Sequence, residues 1–282
     1  SMGELSKILG PKELSAFESV YDVQESGNFE GKNHLVKKQE PFLHQTEEKL
    51  LTERRKRQQP FVDKKIVTEW NCLAGTGLLL CHRYTGNDGA LEIAKRVYHA
   101  IISGHYKNGS LAHSSLEGDI QEGEFLSDYA SLLLFATYMH EETRSEEKLI
   151  SELLGKVLKF KKELWIESKN PDFLEVVAQP FDQPAPSGTS MALLARLRAE
   201  IILGKEHDKI GFGAALGQDF ANFAAFFSEN IHEIKSEEKI GWEKLPMNCM
   251  LLPGKGYSDC FAGTCKKFEG KKELLEYLNA KK

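Results

Sequence analysis

Three aspartates and three polar or aromatic pairs stand where they could do chemistry together. Asp63 precedes Trp70-Asn71 by seven residues, Asp128 is itself followed by Tyr129, and Asp182 precedes Ser187-Gly188 by five. Glu122 and Glu124 lie just before Asp128. Two carboxyl groups across one mouth suit general acid–base work, because one gives a proton while the other takes one. Glycoside hydrolysis and epimerisation both use such pairs. Asp63, Asp128 and Asp182 are therefore the candidate catalytic residues. Trp70, Asn71, Tyr129 and Ser187 are candidate substrate-binding residues, the aromatics as platforms for the apolar face of a sugar ring. The same residue types also cap and pack helices: an Asp or Ser at a helix head binds free N–H groups, and Trp70 suits a core.

The elements that must position these groups are helices. Trp70, Asp128 and Ser187 are 58 and 59 residues apart, and each heads a long apolar stretch. A period of that length fits one helical hairpin, and a fixed period is the mark of a repeat architecture. Parallel neighbours would bring their N-termini, with free N–H groups and partial positive charge, to one end. The stretch from Trp70 to Tyr84 steps at helical intervals, with Thr68 as its expected cap and Gly75 and Gly77 awaiting a close neighbour. Asp88 is the expected cap of the return helix. Residues 130–136 are apolar on all sides, as in a buried helix, whereas 146–160 show a single apolar stripe. Ser187 is the expected cap of a third inner helix, followed by an Ala- and Phe-rich stretch, Gly211–Phe227. Pro11 opens an early helix, and Thr46 is read as capping a helix over 47–58 that Pro60 ends. Asn108-Gly109 predicts a small β-hairpin, since both turn residues must take positive φ. From Pro246 the pattern reads as irregular, closed by a short helix, Lys272–Leu278. The chain reads as all-α, a single domain over 1–282, with one small β-hairpin insertion.

Composition bounds the function. The chain has 282 residues, 41% hydrophobic and 28% charged, with a net charge of −5. That balance gives no pull toward nucleic acid or an anionic membrane. The basic run Arg54-Arg55-Lys56-Arg57 spreads around a helix end rather than forming one patch. No apolar run approaches the roughly 20 residues of a membrane span, and no signal peptide is visible. Five cysteines in no paired framework point to a reducing, cytoplasmic setting. Cys260 and Cys265 lack zinc-site spacing, His105 and His113 are offset across the hairpin, and no cofactor motif occurs, so neither metal nor cofactor is expected.

The ordered motifs resemble a known family. They are Gly27-Asn28-Phe29-Glu30-Gly31-Lys32-Asn33; Arg54 to Lys64, with Gln58-Gln59-Pro60-Phe61-Val62-Asp63, running on to Trp70-Asn71; Phe125-Leu126-Ser127-Asp128-Tyr129-Ala130; Pro186-Ser187-Gly188-Thr189-Ser190; and Cys260 with Cys265. This set is similar to the C-terminal part of the thioredoxin-domain-containing, spermatogenesis-associated-protein-like family of bacteria and animals, over about Glu4 to Leu278. The resemblance implies an (α/α) toroid like that of six-hairpin glycosidases and sugar epimerases. It places Asp63, Trp70, Asn71, Asp128, Tyr129, Ser187 and Gly188 on motif positions and adds Asn28 and Glu30 as candidate binding residues. Asp63-Lys64-Lys65 departs from the usual two acidic residues followed by lysine. Six hairpins of this period need roughly 350 residues. The expectation is thus an incomplete (α/α)6 toroid, from a truncated chain or one product of a split gene. Its expected partners are a small carbohydrate, a thioredoxin-like or N-terminal half-toroid chain, or another copy of itself. A noncatalytic scaffold working with the thioredoxin-like partner is the alternative function.

Overall fold

The computed structural model describes residues 1–169, 175–211 and 219–280. The chain forms two compact units, Ser1–Asp63 and Lys64–Lys282, where the sequence reading expects one domain.

In the first unit, α1 (Met2–Ile8), α2 (Pro11–Val20) and α3 (His44–Arg55) enclose a small core of Met2, Leu5, Leu9 and Phe17. Pro11 occupies the first turn of α2, where its missing N–H costs nothing. Strands β1 (Tyr21–Asp22) and β2 (Val36–Lys37) pair antiparallel. Helix α3 starts ahead of Thr46: Leu43 is its N-cap residue, and Glu47 accepts from the Leu43 N–H at 3.2 Å and from Tyr21 Oη at 2.7 Å. Thr46 is buried in the first turn instead of capping it.

The second unit is built on three helical hairpins. Helix α4 (Thr68–Thr85) returns through α5 (Asp88–Gly104), α6 (Leu126–Thr143) through α7 (Glu147–Leu158), and α8 (Gly188–Ile202) through α9 (Asp219–Asn230). The stretch expected as Gly211–Phe227 falls partly on 212–218, outside the described residues. Helix α6 packs against both α4 and α8. Two sets of contacts show that all three run parallel. At the heads, the Glu69 N–H of α4 reaches Asp128 of α6, and Gly188 of α8 lies against Ser127. At the tails, Glu141 of α6 binds Arg83 of α4 and Arg198 of α8. Every residue of α6 from Asp128 to Glu141 is buried, whereas α5 and α7 bury one face each. That is the inner and outer layering the apolar patterns predict.

The caps differ in detail. Asn87, not Asp88, caps α5, its side chain accepting from the Ala90 N–H at 3.1 Å. Thr68 lies inside α4, with its hydroxyl on the Ala112 carbonyl and His105. Ser187 does cap α8, accepting from the Ser190 N–H at 3.1 Å. Gly75 meets a ring rather than a backbone: a Cβ there would run into the Phe135 ring, while nothing comes within 4 Å of one on Gly77.

The all-α expectation is corrected by two sheets in this unit. Strands β3 (Ile66–Val67), β4 (Tyr106–Lys107), β5 (Ser110–Leu116) and β6 (Asp119–Glu122) pair antiparallel around β5. Asn108 and Gly109 take the positive φ values, 51° and 75°, that the hairpin reading requires. The region read as irregular from Pro246 holds β8 (Cys249–Pro253), β9 (Tyr257–Phe261) and β10 (Thr264–Phe268), which join the earlier β7 (His232–Ser236) in the order β10-β9-β7-β8 and are followed by α10 (Lys271–Asn279). Strands β7 and β8 are parallel, the other pairs antiparallel. The β9–β10 register sets Cys260 opposite Cys265, with Cα atoms 3.9 Å apart, and the two form a disulfide. This corrects the reading of the cysteines as unpaired. No helix among the described residues is long and apolar enough to cross a membrane.

Candidate active site

The parallel packing of α4, α6 and α8 brings three carboxyl groups to one end of the second unit. Asp128, in the first turn of α6, is fully buried. Its Oδ1 accepts from the Glu69 N–H at 3.1 Å, satisfying one of the free donors that open α4. Its Oδ2 lies 2.8 Å from His113 Nδ1 on β5. Glu69, in the first turn of α4, is half-buried, and the Ser127 side chain favours its ionised form. Glu167, also half-buried, has its ionised form favoured by the side chain and backbone of Ser127. Backbone pairing holds Glu167 in place: the Leu126 N–H donates to the Glu167 carbonyl at 2.8 Å, and Phe125 and Ser168 form an antiparallel bridge. Gly188 lets the head of α8 close on this point. A Cβ there would lie 3.2 Å from Glu167 Oε2 and 3.3 Å from Ser127 N.

The electrostatics follow from burial. Desolvation raises the Glu69 carboxyl above its ordinary value, and the Asp128 and Glu167 carboxylates add to the rise. Desolvation raises Glu167 as well, against the effect of Ser127. In the buried pair, burial lifts Asp128, and the hydrogen bond to Asp128 lifts His113 above the usual imidazole value. Two carboxyls that share Ser127 and resist ionising together can occupy different protonation states, which is the requirement for an acid and a base in one site.

The sequence candidates meet this cluster unequally. Asp128 is at its centre, held as an acceptor for Glu69 and His113. Trp70, next to Glu69, is 65% exposed and free of any core role. Asn71 donates to the Val67 carbonyl at 2.8 Å. Tyr129 is wholly buried, its Oη accepting from the Leu111 N–H at 3.1 Å, so it is no stacking platform. Asp182 is a tie between elements: Oδ1 accepts from the Ser187 N–H at 2.9 Å and Oδ2 from the Phe220 N–H of α9 at 2.8 Å. Asp63, Asn28 and Glu30 belong to the first unit, and the cluster is made of second-unit residues alone. Asp63 and Glu30 are exposed. Asn28 braces its own loop, donating to the Asp22 and His34 carbonyls and accepting from the His34 N–H at 2.7 Å.

Glu69, His113 and Glu167 were missed. Glu69 carried a signal, standing beside Trp70 at a helix head, whereas Glu167 lies outside any periodic stretch. The opposite end of the helices was missed too. Arg83 Nη2 donates to Glu141 Oε2 at 2.7 Å, Arg198 Nη2 donates to the same oxygen, and the Leu251 N–H of β8 donates to Oε1 at 2.9 Å. Burial alone would raise the Glu141 carboxyl, but Arg198, Arg83 and the Leu251 N–H outweigh it and hold it below its ordinary value. The Arg83 guanidinium sits 3.5 Å from the Trp242 ring centre and that of Arg198 3.7 Å from Tyr138. The available signal was charge on helices that are otherwise apolar, at intervals of 58 and 57 residues.

No protein-family model matches the chain. No curated protein matches it either, so the thioredoxin-domain family resemblance rests on its motifs. Among solved structures, a family 105 glycoside hydrolase from C. acetobutylicum ATCC 824 is similar, with 13% sequence identity over 70% of this chain and a TM-score of 0.40. The chain spans 61% of that hydrolase's length.

Proposed function

We propose that the second unit binds a sugar ring at the heads of α4, α6 and α8 and supplies general acid–base chemistry to it, as a glycoside hydrolase or epimerase would. The three hairpins then form an arc of an (α/α) ring whose mouth is this site. The carrying observation is the pair of half-buried carboxyls, Glu69 and Glu167, raised by desolvation and joined at Ser127 beside the exposed Trp70. Trp70 is the platform for the apolar face of the ring, where sugar C–H groups meet an aromatic surface. Glu69 and Glu167 exchange the proton. Asp128, bound to the Glu69 N–H and His113, is a positioning residue that fixes the head of α4. Saturation-transfer NMR against a panel of neutral mono- and oligosaccharides tests the reading. Binding of at least one class is expected, weakened about tenfold or more in W70A. Turnover of that ligand, followed by NMR, is expected to vanish in E69Q and E167Q while binding persists. A panel without a bound sugar, or a W70A protein that binds like the wild type, overturns it.

A further inference from the structure

A cleft of about 480 Å³ lies on the outer side of the same unit, between α5 and the β5–β6 hairpin. Its size is that of a small-molecule site. Val97 and Ile101 of α5 form its floor, and Ile66, Ile93 and Ile120 edge it while 41% to 47% exposed. Its polar back wall is His105, whose ring nitrogens lie 2.7 Å from Thr68 Oγ1 and 2.9 Å from Ser115 Oγ. Burial lowers the His105 pKa and favours the neutral ring.

The charge of the lining is one-sided. Arg96 and Lys107 stand exposed at the rim, and neither makes an ion pair among the described residues. The nearest acid along α5, Glu92, makes its salt bridge to Lys95 at 2.8 Å, with Arg96 adding a weaker electrostatic pull. No aspartate or glutamate is among the described residues that line the cleft, in a chain whose net charge is −5. An apolar trough with two cations at its edge, neither in a salt bridge among the described residues, matches a ligand with a hydrocarbon body and one anionic end. The body removes the isoleucine side chains from water, and the anionic end takes charge-assisted hydrogen bonds.

We propose that this cleft is a binding site for an amphipathic carboxylate, its carboxyl group on Arg96 and Lys107 and its aliphatic part along Val97, Ile101 and the three edge isoleucines. The occupant would lie one hydrogen bond, through His105, from Thr68 at the start of α4.

Octanoate, titrated into the full chain by calorimetry at low salt and below its micellar range, is the probe. Octylammonium, with the same chain and opposite charge, is the control. Saturable octanoate binding at one site is expected, with octylammonium failing to bind and the Ile93 and Ile120 methyl resonances shifting on octanoate addition. The R96Q/K107Q double variant should weaken octanoate binding about tenfold or more while keeping the wild-type melting temperature, since both side chains are exposed. Equal binding of the two probes, absence of saturable binding, wild-type affinity in the double variant, or unmoved Ile93 and Ile120 methyls would each overturn the assignment. The methyl readout uses the wild-type protein, so the test stands even if the variant folds poorly.

Discussion

A carboxyl group taken partly out of water holds its proton more tightly, and Glu69 and Glu167 both do so above their ordinary value of 4.5. Because the folded chain binds these protons more tightly than the unfolded one, their stabilisation is complete below the ordinary carboxyl range. It is lost as pH rises through the raised folded values. Above that range, ionising either group therefore works against folding. An E69Q/E167Q protein should melt higher than the wild type at pH 7, by roughly 2–4 °C for each ~1 kcal/mol relieved, with the gap closing toward pH 4. A variant that melts lower at pH 7, with an unchanged pH slope, contradicts this; calorimetric scans across that range decide. Asp128 was singled out in the sequence by its place at the head of an apolar stretch, and the structure sets it there as an acceptor for the Glu69 N–H beside His113. Glu167 was not, since its place depends on backbone pairing between Phe125 and Ser168, which no local pattern announces. The tie that Asp182 makes was illegible for the same kind of reason: α8, which Ser187 caps, and α9 are brought together only by the fold.

Helices α4 and α6 meet through a ring in a gap. Phe135 occupies the space that a side chain at Gly75 would need, while Gly77, two residues on, faces open space. The two glycines should thus respond oppositely to a methyl group. G75A is expected to cost about 1–3 kcal/mol or more through overpacking, and G77A to gain up to about 1 kcal/mol from helix propensity, measured by urea unfolding. Equal effects would mean that Phe135 moves freely. At this scale the helices were legible, because a 3.6-residue stripe persists over many turns. Caps were misplaced by a residue because Asn87 and Asp88 are both cap types, and the Thr68 hydroxyl was claimed by a strand carbonyl. Strands β7 to β10 escaped detection because each has only five residues. Cys249, Met250 and Leu251 of β8 are buried in succession and β10 buries Phe268 alone, so neither shows a two-residue alternation; β7 does alternate in burial, but through His232, Ile234 and Ser236, of which only Ile234 is apolar.

Across the second unit as a whole, Glu141 joins four elements, accepting from α4, α8 and β8 while belonging to α6. Removing its charge leaves two buried guanidinium groups with no other salt-bridge partner among the described residues. E141Q is expected to cost about 3–5 kcal/mol, whereas replacing all three groups by apolar side chains in R83M/E141L/R198M should cost far less. Chemical denaturation followed by Trp242 and Trp165 fluorescence compares the two, and similar losses would show that the charges themselves are not the source of the penalty. The repeat length was legible in the sequence from the helix heads alone. The matching tails were not, since Arg83, Glu141 and Arg198 read as isolated charges until the helices are aligned.

Heads and tails keep step together: the offsets are 59 residues from Glu69 to Asp128, 58 from Arg83 to Glu141 and 57 from Glu141 to Arg198. One block of that length therefore carries a head, an inner helix, a charged tail and a return. A duplication of such a block could enter this chain at a hairpin boundary with its contacts at both ends already in register, whereas an insertion of a few residues within an inner helix would break the alignment at one end. Growth by whole hairpins is the form of length change this architecture accepts most readily.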